Sequence, residues 1–272
     1  MNNWDKKIEF HKRVALEWTE FSCVSRNFPP SFSHKIRSEH GGIKPPELCL
    51  ELLFAFGKNA SYILDPFAGV GSTLIASSLL RKKALGIDLN GRWLEIYNQV
   101  CDIHNISKQE FLIGRSEEVL NQFKQKTFDF VLTDIPYFNM DKLTKTRGKF
   151  SRAGEVSNAK LPSSLNSFNN DEIMSKDEWI GLLENIFSII YSLVKPKTLI
   201  LIFIGNMYRT VNKRGQYFSL SSNVIDLMEK NGYIHINELI WMDPGKKLGI
   251  YGYPYVWIPS MMDQRILVFL RP

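Results

Sequence analysis

The sequence predicts an α/β protein with a largely parallel sheet and helices on both faces. Three observations carry this. Short apolar runs alternate with amphipathic stretches of helical period through most of the 272 residues. A glycine turn follows one apolar run and opens a helix. No shift in composition marks a second folding unit. Alternation of this βαβα kind is the signature of a parallel sheet covered on both sides.

The elements follow in order. Residues 47–57 place Leu48, Leu52 and Phe56 at helical spacing behind the start signal Pro45-Pro46. Tyr62-Ile63-Leu64 reads as a buried strand that ends at Asp65. A helix is predicted over 72–81, a strand over 84–88 and a helix over 93–105. A weak strand at 111–113, a helix at 117–123 and a strong strand at 128–133 continue the pattern. Beyond Tyr137 the periodicity lapses, and 138–176, polar, basic and rich in Ser and Asn, reads as a long loop of the kind that usually serves a function or is disordered. Helix 177–193 and strand 199–204 come next. A polar loop at 206–219 and a helix at 222–231 lead to strands at 234–241 and 265–270. The stretch 242–264 between those last strands has no evident helix, so they are expected to pair antiparallel at or near one edge.

Composition sets limits. Hydrophobic residues make up 44% and charged residues 23%, ordinary for a globular chain and incompatible with wholesale disorder. The longest apolar candidate, 188–205, is broken by Lys195, Pro196 and Lys197, short of the roughly 18 residues a membrane helix needs. No membrane partner is expected. The first ten residues have no apolar signal core, which favours a cytoplasmic protein. Three cysteines, Cys23, Cys49 and Cys101, form no CxxC pair, so they read as reduced thiols and no metal site is expected.

The net charge of +6 is unevenly placed. Lys142, Lys145, Arg147, Lys149, Arg152 and Lys160 stand against Glu155 alone, and Arg209, Lys213 and Arg214 form a second basic group. Together these two stretches exceed the whole excess. They suggest a polyanionic partner, with a solvated loop as the plainer alternative.

Three motifs carry chemistry. The first is Asp65-Pro66-Phe67-Ala68-Gly69-Val70-Gly71-Ser72-Thr73, where a strand ends and a helix begins. Its glycines admit a ligand close to the backbone, and the helix start favours an anionic group. It lacks the third glycine of a dinucleotide fingerprint and the lysine of a P-loop. The second is Asp88, at the end of the next strand, followed by Leu89. An acid there can accept both hydroxyls of a ribose, or can simply cap the following helix. The third is Asp134-Ile135-Pro136-Tyr137, at the end of the fourth strand. A carboxylate and the carbonyl one residue on can jointly accept hydrogen bonds from an exocyclic amine, leaving its lone pair out of plane. The tyrosine offers a stacking face for a planar base.

As a set these residues resemble the amino-group methyltransferases of DNA, the N6-adenine and N4-cytosine enzymes that use S-adenosylmethionine. Phe67 to Gly71 is similar to the family's Phe-x-Gly-x-Gly. Asp134 to Tyr137 is similar to its Asp-Pro-Pro-Tyr, with Ile135 in place of the first proline. His40, Lys44, Pro45, Pro46 and Leu48 resemble the element beside the methionine end of the cofactor. The chain departs from relatives at Asp263-Gln264, where many carry His-Glu, and at Gly114-Arg115-Ser116, where relatives carry an acid. The roles of those two positions are not carried over.

The resemblance implies a Rossmann-like class I methyltransferase fold with a mostly parallel seven-stranded sheet. Residues 1–33 would form an N-terminal extension and 34–272 one catalytic domain. Asp65, Phe67, Ala68, Gly69, Gly71, Thr73, Asp88, Leu89, His40 and Pro45 would hold S-adenosylmethionine. Asp134, Ile135, Pro136 and Tyr137 would be catalytic. Lys142, Lys145, Arg147, Lys149 and Arg152 would grip nucleic acid. A base in duplex DNA would have to leave the stack to reach the site. The amine itself is the nucleophile, so none of the cysteines, which lack the Pro-Cys setting of ring-carbon methyltransferases, is needed. The implied activity is site-specific DNA methylation, as in restriction–modification. The opening aspartate favours N6 of adenine over N4 of cytosine. Three alternatives stay open: a tRNA guanine-N2 methyltransferase, with RNA as partner; a non-catalytic cofactor-binding subunit; and, for assembly, a specificity subunit or a homodimer.

Overall fold

The computed structural model describes residues 3–136, 176–211, 214–245, 250–251, 258–259 and 263–272. Tyr137 and the basic residues Lys142, Lys145, Arg147, Lys149 and Arg152 lie outside the described residues, as does nearly all of the expected loop 138–176.

The N-terminal part forms helix α1 (Asn3–Val14), a short helix α2 (Glu17–Glu20) and strand β1 (Cys23–Ser25). A helical turn α3 (His34–Arg37) leads to α4 (Pro46–Ala55). The alternating core follows: β2 (Tyr62–Asp65), α5 (Ser72–Leu79), β3 (Lys83–Asp88), α6 (Gly91–His104), β4 (Glu110–Ile113), α7 (Ser116–Leu120) and β5 (Phe128–Asp134). Then come α8 (Lys176–Leu193), β6 (Val194–Ile204), the strands β7 (Met207–Val211) and β8 (Arg214–Phe218), α9 (Leu220–Lys230) and β9 (Ile234–Met242). Two-residue strands β10 (Ile250–Tyr251) and β11 (Ile258–Pro259) precede β12 (Asp263–Leu270).

The main sheet has the order β4-β3-β2-β5-β6-β12-β9-β1. Strands β4 through β6 are parallel, and β12 runs antiparallel between β6 and β9. The expected seven strands are present, together with an eighth. Strand β1 pairs parallel to β9, with Cys23 opposite Ile240 and Ser25 opposite Met242. Its three residues, of burial pattern exposed-buried-exposed, are too few to show a period.

Alternation along each central strand divides the core in two. Ile63, Phe130, Leu132, Leu201, Phe203, Ile266 and Val268 face α4, α5 and α6, while Leu64, Val131, Ile200, Ile202, Leu267 and Phe269 face α7, α8 and α9. Neighbouring residues thus point to opposite layers, as the pleat requires. Full burial of each such side chain contributes about 1.5–3 kcal/mol.

Within the stretch 206–219, expected as a polar loop, β7 and β8 pair antiparallel: Met207 pairs with Phe218 and Val211 with Arg214. The apolar and polar residues of this stretch do not alternate along the sequence, so no strand period announces the pair.

The N-terminal segment is bonded to the back of α4 through Glu51, whose side chain is fully buried. Glu51 Oε2 accepts from Trp18 Nε1 at 2.8 Å and from Arg26 Nη1 at 2.7 Å, and Oε1 lies 2.7 Å from His11 Nδ1. Among the described residues no helix is long and apolar enough to cross a membrane.

Candidate functional site

The chain leaves β2 for β3 on one side and returns as β5 on the other. The carboxyl ends of β2 and β5 therefore flank the point where strand order reverses, the usual place for a ligand in an open α/β sheet. A cleft open to solvent lies there. Of the residues expected to bind cofactor, His40, Asp65, Phe67, Ala68, Gly69 and Thr73 line it. Asp134, Lys44 and Phe203 line it as well. Pro45, Gly71, Asp88, Leu89, Ile135 and Pro136 lie outside that lining.

Two glycines make the loop. Gly69 has φ +49°, and a Cβ there would meet His40 Nε2 at 2.9 Å. Gly71 has φ +75°, and a Cβ there would lie 2.3 Å from Tyr97 Cδ2. The first lets the loop pack directly against the histidine. The second lets α5 start directly against α6.

Asp65 is buried beneath the loop. Its Oδ1 accepts from Thr133 Oγ1 at 2.7 Å and from the Phe67 amide at 3.2 Å. Burial lifts its pKa to about 7 against these neutral donors, and Asp134 nearby adds to the rise. Asp88 sits at the end of β3, with Oδ2 accepting from the Gly69 amide at 2.9 Å and Oδ1 from the Asn90 amide at 3.0 Å. It fastens the glycine loop to the neighbouring strand. The plainer reading of Asp88 as a helix cap gives way to Asn90, whose side chain accepts from the Arg92 amide at 2.9 Å. Leu89 is 42% exposed beside it.

Asp134 ends β5. Its Oδ2 forms an ion pair with Lys44 Nζ, and its Oδ1 is buried with no hydrogen-bond partner among the described residues. Burial raises its pKa, and the Lys44 ammonium opposes the rise. Ile135, where the family pattern has proline, is 2% exposed and packs in the same cluster as Trp179 and Leu183 of α8. The Pro136 carbonyl accepts from Trp179 Nε1 at 2.6 Å. The strand end is thus gripped from the α8 side by packing and by one indole.

Several site residues had no readable signal. Arg37, 1% exposed, donates through Nη2 to the Lys44 carbonyl at 3.0 Å and to Ser72 Oγ at 2.5 Å. Burial lowers its pKa to about 10. In the sequence it is one more basic residue beside His34 and Lys35. Trp179 is marked only by its place on the apolar face of α8, and Phe203 only by membership of an apolar run.

The residues present suit S-adenosylmethionine. Gly69 lines the cleft and lies so close to His40 that it has no space for a Cβ, so backbone and imidazole wall the site together. Asp65 is a buried carboxylate whose described hydrogen bonds come from neutral donors alone, which suits an ammonium group. Asp88 retains acceptor capacity for ribose hydroxyls beyond the two amides it holds.

The DNA methylase family model matches residues 5–99 and 128–255. The chain belongs to this family. It is thereby a member of the S-adenosylmethionine-dependent amino-methyltransferases. Among its relatives, the tRNA (guanine(10)-N2)-dimethyltransferase of Pyrococcus abyssi is 31% identical over 94 residues, 34% of this chain and 29% of that protein. The type II methyltransferase M.MjaII of Methanocaldococcus jannaschii is 29% identical over 162 residues, 55% of this chain and 29% of that protein. The aligned part of the chain thus spans under a third of the length of either. The crystal structure of TrmN from Thermus thermophilus matches with a TM-score of 0.49 at 12% identity, covering 86% of this chain and 52% of that one.

Proposed function

We propose that this chain methylates an exocyclic amino group of DNA, N6 of adenine ahead of N4 of cytosine. The observation that carries the reading is Asp134: a strand-end carboxylate in the cleft of the glycine loop, with one oxygen held by Lys44 and the other without a described partner. An amine that donates a hydrogen bond to that second oxygen would be drawn towards tetrahedral geometry, with its lone pair withdrawn from conjugation with the ring and free to attack. S-adenosylmethionine, when bound, supplies an electrophilic methyl group on a sulfonium. Asp65 would receive its ammonium, Asp88 its ribose hydroxyls and Leu89 the face of its adenine. His40, Pro45, Phe67, Ala68, Gly69, Gly71 and Thr73 would shape the surrounding walls. The carbonyl of Ile135 would share the amine with Asp134, Pro136 would hold the turn, and Tyr137 would stack on the extruded base.

Lys142, Lys145, Arg147, Lys149 and Arg152 follow the tetrad in sequence and would hold phosphates. Neutralising Lys145, Arg147 and Lys149 together should flatten the slope of log affinity against log salt by up to about 3, one counterion per lost contact. A slope equal to that of the parent would assign the run to a bystander loop.

A second reading has its own support, since the P. abyssi relative acts on guanine in tRNA. Methyl-labelled S-adenosylmethionine incubated with DNA, with tRNA and without acceptor separates the two, with modified nucleosides identified by mass spectrometry. N6-methyladenine in DNA is expected. N2-methylguanosine in tRNA alone would replace the DNA reading. Cofactor binding without transfer to any nucleic acid would leave a binding subunit.

A further inference from the structure

The cleft contains one charged contact that the family motifs do not explain. Lys44 reaches across 90 residues of sequence to Asp134. Its side chain is 10% exposed, and its ammonium lies 5.6 Å from the centroid of the Phe203 ring. Phe203 stands opposite Asp134 in the β5–β6 register, so the ammonium is lodged against two adjacent strand ends. The backbone of Lys44 is fixed as well. Its carbonyl accepts from Arg37 Nη2 at 3.0 Å and from Ser72 Oγ at 2.8 Å, and Ser72 is the first residue of α5, directly after Gly71.

We propose that Lys44 is the positioning residue of Asp134: it holds one carboxylate oxygen, reserves the other for the incoming amine, and ties that carboxylate to the glycine loop through its own carbonyl. The inference about catalysis rests on the role given to Asp134 above. Its physical basis is the cost of a buried charge. Without the ammonium, Asp134 takes up a proton at higher pH, and a neutral carboxyl is a weaker acceptor for an amine. The other titratable groups on the described cleft walls do not replace Lys44. Asp65 from β2 repels the second negative charge, Cys49 from α4 is a thiol whose pKa burial pushes to about 12, and His40 stands across the cleft beside Gly69.

The test is a titration of the free protein labelled with 13C at aspartate carboxyls, with the Asp134 signal assigned from Asp134→Asn. In Lys44→Met the midpoint should rise by about 1–3 pH units, the span typical of a lost ion-pair partner. Lys44→Arg should return it towards the parent. An unmoved midpoint in Lys44→Met, or a rise that arginine leaves uncorrected, overturns the assignment whatever the enzyme does. The rate supplies the second readout. The acid limb of kcat should move up in Lys44→Met with KM for DNA unchanged, and a limb that stays put while the carboxyl midpoint moves overturns the catalytic half. Parent enzyme that transfers no methyl group to DNA would instead refute the function proposed above and leave the carboxyl titration to judge Lys44. Should Lys44→Met fail to fold, Lys44→Gln serves in the same titration.

Discussion

Asp65 and Asp134 end neighbouring parallel strands, line one cleft and are both pushed towards the protonated form by burial. They differ in what answers the charge. Neutral donors, the Thr133 hydroxyl and the Phe67 amide, answer Asp65, whereas an ammonium carried on the chain answers Asp134. The same fold position therefore yields two chemical tools. A carboxylate without a resident cation is a receptor for one. A carboxylate with its own cation keeps its charge and can serve a neutral group such as an amine.

The comparison can be broken at either member. Asp134→Ala should give the largest effect, a loss of transfer of about a thousandfold or more, the scale of removing a group that acts in the transition state. Cofactor affinity should stay within about threefold, because ground-state binding is left intact. Parallel loss of both would show that the two carboxylates form one binding site. Asp65→Asn should reverse the pattern, weakening cofactor binding by about 10–100-fold through loss of a charged contact. In the parent, affinity should climb with pH until about 7 and then level, because the carboxyl must be ionised to receive an ammonium. The sign for stability is the opposite. A carboxyl whose folded pKa is raised favours the folded state at low pH, and that contribution is lost as pH rises from about 4 through about 7. Asp65→Asn should flatten both curves, measured by calorimetry and by thermal melting of the free protein. The smallest effect belongs to Thr133→Val, which removes one hydroxyl and keeps the shape. It should weaken cofactor binding by about fivefold at neutral pH, the order of one hydrogen bond to a charged group, and shift the affinity–pH curve to higher pH. An equal loss in Asp134-dependent rate would mean that Thr133 supports β5 as a whole.

Much of the site was legible because its motifs are contiguous. Asp65 to Thr73 and Asp134 to Pro136 lie on short stretches at strand ends, where apolar runs stop abruptly. The partners that set their chemistry were not legible. Lys44 and Asp134 are far apart in sequence, and nothing local to either announces the other. Arg37 looks like a surface base until the Lys44 backbone and the start of α5 pack against it. The fold divides in the same way. Strands β2 to β6 show themselves by runs of apolar residues, while β1 has three residues and the pair β7–β8 has no alternation to read. Ile135 shows the converse: a departure from the family motif in sequence, it is an ordinary core residue once α8 is in place.

The edge strand β1 has one further consequence. Trp241 Nε1 donates to the carbonyl of Arg26 at 2.8 Å across 215 residues, and among the described residues β1 pairs with β9 alone. During synthesis the chain therefore carries its first strand without a neighbour until almost all of the sheet has been made. Closing so long a loop costs only slightly more entropy than closing a moderate one. The delay is the heavier burden, because an unpaired strand is open to wrong pairings while it waits. Glu51 offers an earlier mooring: α4 is made soon after β1, and Trp18, His11 and Arg26 can be held there long before β9 exists.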